Sequence, residues 1–145
     1  MPDVTVSRVL PGHSAGEVWN LVKDSREIGS RARSVLHVHS VSHAEKLFRI
    51  TDWKVLLNGS AVSWRQREAA GPGHSLRFEQ TEGDLESLSG VWQVRALGPD
   101  TTELTLTISF ELGVDGLAPL LDPIWSQSFR AHADELVRGV DRLAL

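Results

Sequence analysis

The feature that most constrains the fold of this chain is a long amphipathic stretch at its C-terminal end, residues 117–145. Pro119 suits a first helical turn, whereas Pro123 predicts a kink or a later helix start. At ~1.5 Å per residue the helix would run roughly 40 Å and would need an equally long apolar partner. Its apolar residues recur at steps of three and four, as on a helix with one apolar stripe: Leu117, Leu120, Leu121, Ile124, Trp125, Phe129, Ala133, Leu136, Val137, Val140 and Leu143.

The chain before this stretch alternates between apolar and polar residues, which predicts strands that supply the partner surface. Asn58 and Gly59 form a strong signal for a tight hairpin turn. Ser14 and Glu17 have the spacing of a capping box and begin a short helix, and residues 24–33 form a polar connector with one further helical turn. The predicted strands are residues 4–10, 35–41, 47–57, 61–68, 75–81, 88–96 and 102–112.

Successive hairpins produce an antiparallel, strongly twisted sheet. We therefore predict an α+β helix-grip fold, in which a curved seven-stranded antiparallel sheet wraps around the long C-terminal helix. Short helices lie between strands 1 and 2, and a cavity remains between the sheet and the long helix. The length of 145 residues predicts one domain, residues 1–145.

Composition limits the possible functions. The net charge of −4 argues against nucleic acid as the main partner. The sequence has no apolar run long enough to span a membrane and no signal-peptide pattern, so we expect a cytoplasmic protein. The absence of cysteine excludes thiol chemistry and zinc–thiolate sites. Five Trp and four Phe without any Tyr suit an apolar pocket or, equally, a Trp-rich core.

Strand alternation predicts which side chains face the cavity. Trp64, Gln66 and Glu68 share one side of a strand, and Phe78 and Gln80 share one side of its neighbour. A carboxylate in an apolar cavity could act as a general acid or base, with Gln66 beside it. The alternative is a Glu68 near the strand end that reaches water and pairs with a surface arginine, and the rarity of buried acids favours that alternative.

The long helix supplies further candidates. His132 lies on or beside the apolar stripe, one turn after Ser128 and close to Phe129. It could exchange protons with Glu68 across the cavity, or it could be a helix-flank histidine hydrogen-bonded to a strand. The remaining large residues that could form cavity walls are Trp53, Trp92 and Trp125.

Two polar clusters have both a functional and a structural interpretation. His37 and His39 share one strand face, but no further ligand is placed to complete a metal site, so we expect neither a metal nor a cofactor. Arg26, Arg31 and Arg33 could dock an acidic acyl carrier protein or an anionic ligand at the cavity mouth. A solvated basic loop is the alternative.

Several runs of residues resemble one protein family. These are residues 64–68 (WRQRE), 78–85 (FEQTEGDL), 88–92 (LSGVW) and 117–124 (LAPLLDPI), together with Val18-Trp19 followed by Asp24. They resemble the polyketide cyclase/dehydrase (aromatase/cyclase) branch of the START-like superfamily, also called SRPBCC. The resemblance covers nearly the whole chain and implies the helix-grip fold more specifically than any reaction.

This sequence departs from the family pattern at the strand that carries the polyketide anchor. Cyclases of this kind place Trp, Ser and Arg at alternating cavity-facing positions of a strand, and the Arg anchors the polyketide. The matching positions are Trp64, Gln66 and Glu68, so a carboxylate replaces the anchor, while Arg65 and Arg67 should face outwards.

The resemblance implies an enzyme of secondary metabolism, such as antibiotic biosynthesis, acting as a monomer or homodimer. It would bind a hydrophobic aromatic or polyketide-like intermediate and promote cyclisation, dehydration or aromatisation by acid–base chemistry. The alternatives are a non-catalytic carrier of a quinone or lipid, and a toxin-like protein that acts on ribosomes.

Overall fold

The computed structural model describes residues 2–30, 32–45, 48–113 and 118–144. Along these residues the chain forms a first strand, two short helices, six further strands and a long helix, which is the predicted order. The elements are β1 (Asp3–Pro11), α1 (Ala15–Val22), α2 (Ser25–Ser30), β2 (Val35–Glu45), β3 (Phe48–Leu57), β4 (Ser60–Gly71), β5 (Ser75–Gly83), β6 (Ser87–Gly98), β7 (Thr101–Glu111) and α3 (Ala118–Ala144).

The strands form one seven-stranded antiparallel sheet in the order β1-β7-β6-β5-β4-β3-β2. Consecutive strands from β2 to β7 are neighbours, and β1 pairs with β7 at the far edge. The predicted turn between β3 and β4 is confirmed, because Asn58 and Gly59 both have positive φ, 51° and 77°, as a tight hairpin of this type requires. The predicted helix-grip sheet is therefore confirmed.

Local signals fix the first helix and most strand positions. Ser14 caps α1, and its hydroxyl accepts a hydrogen bond from the backbone N–H of Glu17 at 3.3 Å. The predicted strands lie inside the observed ones, apart from Leu112, which follows the end of β7, and the predicted first residue of β3, Leu47, lies outside the described residues. The larger differences are that β2 continues to Glu45 and β4 continues to Gly71, because cross-strand pairing carries both beyond their alternating residues.

The long helix α3 packs its apolar stripe on the inner face of the sheet. Phe129, Ala133 and Val137 are fully buried. The ring centroids of Phe129 and of Phe110 on β7 are 4.5 Å apart. Pro123 lies inside the helix, so the prediction of a later start was wrong. The predicted first residue, Leu117, lies outside the described residues. In the part of the chain that the structure describes, no helix is both long enough and apolar enough to cross a membrane.

One glycine allows a close approach that shapes the inner face. Gly90 on β6 lies opposite Phe78 on β5. A Cβ atom on Gly90 would lie 2.3 Å from Cζ of Phe78 and 2.4 Å from the backbone oxygen of Thr107. Glycine therefore leaves the space in which the Phe78 ring covers the backbone of β6.

Candidate active site

A small internal cavity of about 20 Å³ lies between the inner face of the sheet and α3. It has room for about one water molecule. Its wall is mostly apolar, with three polar side chains, from Gln66, Glu68 and His132. The lining residues are Trp53, Trp64, Gln66, Glu68, Leu76, Phe78, Leu88, Trp92, Ile108, Phe129, His132 and Leu136.

Strand β4 presents Trp64, Gln66 and Glu68 to this cavity, at the alternating positions that the sequence indicated. Glu68 is only 2% exposed, so the interpretation of Glu68 as a solvent-exposed residue was wrong. The intervening arginines face the opposite side of the sheet. Arg65 forms a bidentate pair with Asp52 at 2.8 and 3.1 Å, and this pairing raises the pKa of its guanidinium.

Two hydrogen-bond chains connect tryptophan side chains to the carboxylate of Glu68. In one, Trp53 Nε1 donates to Thr51 Oγ1 at 2.9 Å, and Thr51 donates to Glu68 Oε2 at 2.7 Å. In the other, Trp64 Nε1 donates to Gln66 Oε1 at 2.8 Å, and Gln66 Nε2 donates to the same Oε2 at 2.7 Å. An indole can only donate, so each chain has a fixed direction that ends on Glu68.

The side-chain amide of Gln66 is hydrogen-bonded at both of its ends. The oxygen of its amide accepts from Trp64 and its nitrogen donates to Glu68, so both ends of the side chain are used within the protein. An amide also does not exchange protons readily in acid–base chemistry. The bond from Gln66 Nε2 to Glu68 Oε2 restrains the carboxylate.

Thr51 is the residue of this network that the sequence analysis missed. It is completely buried, and it lies directly across from Gln66 in the pairing of β3 with β4. Alternation along β3 from Trp53 would have placed Thr51 on the inner face. Threonine is common in strands for its branched shape, so its presence there gave no separate signal.

His132 reaches the cavity from α3, on the wall opposite the sheet. It is 2% exposed, and its Nδ1 lies 2.6 Å from Ser34 Oγ. Its ring is edge-on to the Trp64 ring, with ring centroids 6.5 Å apart. Burial lowers the pKa of His132 to about 4, so the ring is neutral at pH 7. His132 therefore lines the cavity, and its hydrogen-bond partner is Ser34, the residue before β2, and not a residue of a strand.

This buried neutral histidine predicts a pH dependence of stability. An unfolded histidine titrates near 6.5 and the folded one near 4, so the unfolded chain binds the extra proton between these values. The free energy of unfolding should therefore fall by about 3 kcal/mol in total as the pH decreases from 6.5 to 4. Urea unfolding of His132→Gln should lack this part of the loss. A His74→Gln control, at an exposed histidine, should keep it. Equal pH dependence in both variants would contradict the assignment.

Three predicted ligand-binding residues do not line the cavity. The side-chain nitrogen of Gln80, in the second half of β5, donates to the backbone oxygen of Leu85 at 2.8 Å. Trp125 and Ser128 are half-buried on α3. The structure thus brings together Trp53, Trp64, Phe78, Trp92 and Phe129 from the predicted binding residues, together with the three predicted catalytic ones.

The two polar clusters lie apart from the cavity lining or outside the described residues. His37 is exposed, and the side chain of His39 is not among those described. Within the described residues no three histidine or carboxylate side chains come together as metal ligands. Of the basic cluster, Arg33 is exposed, whereas Arg31 and the side chain of Arg26 fall outside the described part of the chain.

Comparisons with solved structures identify the same fold in other proteins. A protein from Thermus thermophilus superposes with a TM-score of 0.89 at 23% identity, covering 99% of this chain and 97% of that one. The Zhui aromatase/cyclase from a Streptomyces species superposes with a TM-score of 0.80 at 17% identity, covering 99% and 96%. A START superfamily protein from Mycobacterium smegmatis gives a TM-score of 0.79 at 14% identity, covering 97% and 98%.

Comparisons of sequence identify the family. The ribosome association toxin RatA of Pseudomonas aeruginosa is 27% identical over 137 residues, which are 94% of this chain and 94% of the toxin. The family model described as polyketide cyclase/dehydrase and lipid transport matches residues 11–140. Because this match spans most of the chain, the resemblance seen in the sequence is confirmed, and the protein belongs to the polyketide cyclase/dehydrase and lipid transport family of START-like proteins.

Proposed function

We propose that this protein binds a hydrophobic aromatic or polyketide-like intermediate in the internal cavity and promotes its dehydration, cyclisation or aromatisation. The observation that carries the proposal is the pair of buried polar groups on opposite walls of a mostly apolar cavity, Glu68 on β4 and His132 on α3. A cavity that only stores an apolar ligand needs neither group, and burying each of them costs free energy.

Glu68 is the proton-transfer group in this proposal. Its Oε2 receives the bonds from Thr51 and Gln66, and the carboxylate so held exchanges a proton with the ligand. The carboxylate removes a proton from the carbon beside a carbonyl, and the electrons of that C–H bond form an enolate. When the enolate expels a β-hydroxyl group, the proton returns from Glu68 to the leaving oxygen. Water and a conjugated double bond result, and the carboxylate is regenerated.

His132 serves as a neutral hydrogen-bond donor rather than as a base. A pKa of about 4 makes the ring a weak base at pH 7. When Ser34 donates to Nδ1, the ring proton is on Nε2, and Nε2 can donate to the carbonyl oxygen that becomes the enolate. Stabilising this developing charge from a fixed, buried donor lowers the barrier without any proton transfer by the imidazole.

Binding requires the cavity to widen, because about 20 Å³ is far smaller than a ring-bearing ligand. Trp53 and Trp64 stack with ring centroids 6.4 Å apart and fill the space that a ligand would take. Trp53 also lies against α2, where a Cβ on Gly29 would come within 2.8 Å of the indole. We propose that a wider form with displaced indoles is the one that binds.

The proposed function also has a protein partner. The proposal includes an acidic acyl carrier protein that delivers the substrate, and the exposed Arg33 is a basic residue that could contact it.

The alternative function, a non-catalytic carrier of a hydrophobic ligand, is favoured by the apolar lining of the cavity. Native mass spectrometry of the purified protein would reveal a retained ligand. Ribosome association, after the related toxin, has no electrostatic support because a net charge of −4 does not attract RNA.

The proposed reaction can be tested with a small aromatic substrate. The β-hydroxy ketone formed from benzaldehyde and acetone loses water to give a conjugated enone, which is followed by its ultraviolet absorption. The protein should accelerate this reaction with saturation kinetics, because enolisation by Glu68 and charge stabilisation by His132 are the steps that it needs. Binding of the ketone without any acceleration would contradict the enzymatic proposal and support the carrier.

A further inference from the structure

We propose that Thr51 is a positioning residue that holds the carboxylate of Glu68 in its reactive orientation. The inference rests on the proposed function of Glu68 and names a residue that the resemblance to cyclases does not supply. Thr51 is on β3, it is completely buried, and it is not itself among the residues that line the cavity. It therefore acts through Glu68 and not on the ligand.

The hydrogen bonds of Thr51 leave its hydroxyl no alternative orientation. The Nε1–H of Trp53 can only donate, so the Thr51 oxygen accepts that bond at 2.9 Å. The single hydroxyl proton then goes to Glu68 Oε2 at 2.7 Å. Bonds to charged groups are worth more than neutral ones, so this contact holds the carboxylate more firmly than an ordinary side-chain bond.

A second donor makes the restraint on Glu68 directional. Gln66 donates to the same Oε2, and Thr51 and Gln66 face each other across β3 and β4. Two donors from neighbouring strands on one oxygen oppose rotation of the carboxylate about its terminal bond. The carboxylate is thereby held in one orientation in the cavity wall, and proton transfer needs such a fixed orientation.

The arrangement also connects the ligand site to the carboxylate. Both donors to Oε2 accept a bond from a tryptophan of the cavity wall, Trp53 through Thr51 and Trp64 through Gln66. A ligand that displaces an indole changes the bonds made by that donor. A displacement of Trp53 or Trp64 is thus transmitted to Glu68 through its hydrogen bonds with Thr51 or Gln66.

The test uses Thr51→Val, which keeps the shape and removes the hydroxyl, and Thr51→Ser, which restores it. The control is Thr102→Val, at a second completely buried threonine, whose hydroxyl donates to the backbone oxygen of His13 at 2.9 Å. With the β-hydroxy ketone as probe, Thr51→Val should lower kcat about 10- to 100-fold and leave KM within about twofold. Thr51→Ser should recover most of kcat, and Thr102→Val should keep it.

Nuclear magnetic resonance gives a readout that is independent of turnover. In Thr51→Val the indole N–H signal of Trp53 and the side-chain carboxyl carbon signal of Glu68 should both move, whereas neither should move in Thr102→Val. If Thr51→Val impairs kcat no more than Thr102→Val, or if Thr51→Ser is equally impaired, the positioning role is wrong. If wild-type protein does not dehydrate the probe, the proposed function fails, and an unmoved Glu68 signal in Thr51→Val would then also overturn the inference about Thr51.

Discussion

Replacing Glu68 by Gln should lower the rate of β-hydroxy ketone dehydration about 10²- to 10⁴-fold while leaving the affinity for the ketone nearly unchanged. The amide has the size of the carboxylate and its oxygen can still accept hydrogen bonds from Thr51 and Gln66, so the cavity should keep its form. What it loses is the ability to take a proton from carbon. Turnover and ligand affinity, measured separately, decide the role.

Matched variants separate proton transfer from other roles of Glu68. Glu82→Gln removes a carboxylate whose side chain is 71% exposed on the outer side of the sheet, and it should leave turnover unchanged. If Glu68 only positions the ligand, Glu68→Gln should change the affinity and leave kcat nearly intact. Full activity of Glu68→Gln would contradict the catalytic assignment.

Replacing Trp64 by Ala should destabilise the protein by about 3–5 kcal/mol, as expected for truncation of a buried aromatic residue. Trp64 is 6% exposed, stacks with Trp53 and meets His132 edge-on, so its removal leaves a void at the centre of the cavity wall. Gln66 Oε1 also loses its donor. Urea unfolding measures the loss of stability, and the affinity for the conjugated enone product should fall as well.

Two control variants show which part of the Trp64 side chain, and which tryptophan, the stability and the ligand affinity depend on. Trp64→Phe keeps an aromatic ring while it removes the N–H group and part of the ring volume, so it should cost less stability than alanine and should retain ligand binding. Trp125→Ala removes a half-buried tryptophan outside the cavity lining and should leave the affinity unchanged. A Trp64→Ala variant that binds the enone as tightly as wild type would exclude Trp64 from the ligand site.

Most of the fold follows from local patterns in the sequence. The alternation along β7 and the stripe along α3 each require a long apolar partner, and the two elements supply it to each other through Phe110 and Phe129. Asn58-Gly59 and Ser14 determine a turn and a helix start through backbone chemistry that needs no tertiary context. Strand ends are less predictable, because pairing with a neighbour carried β4 to Gly71, past the alternating residues.

The site could be predicted only in part. Alternation placed Trp64, Gln66 and Glu68 on one face, but it could not show that Thr51 donates to the carboxylate from another strand. Without that partner, the position of Glu68 near a predicted strand end indicated exposure. The contact of Ser34 with His132 joins residues 98 positions apart and depends entirely on tertiary packing. The small cavity volume likewise results from the packing of large rings.

The central claim, that the ligand binds inside this cavity, is tested most directly by the indole N–H signals of the five tryptophans during titration with the conjugated enone. Trp53, Trp64 and Trp92 line the cavity, whereas Trp19 stacks on His74 with ring centroids 5.4 Å apart and Trp125 lies outside the lining. Binding in the cavity predicts that the signals of Trp53, Trp64 and Trp92 move together and saturate, while those of Trp19 and Trp125 stay in place. Unmoved cavity signals at saturating enone, or movement confined to Trp19 and Trp125, would contradict the account.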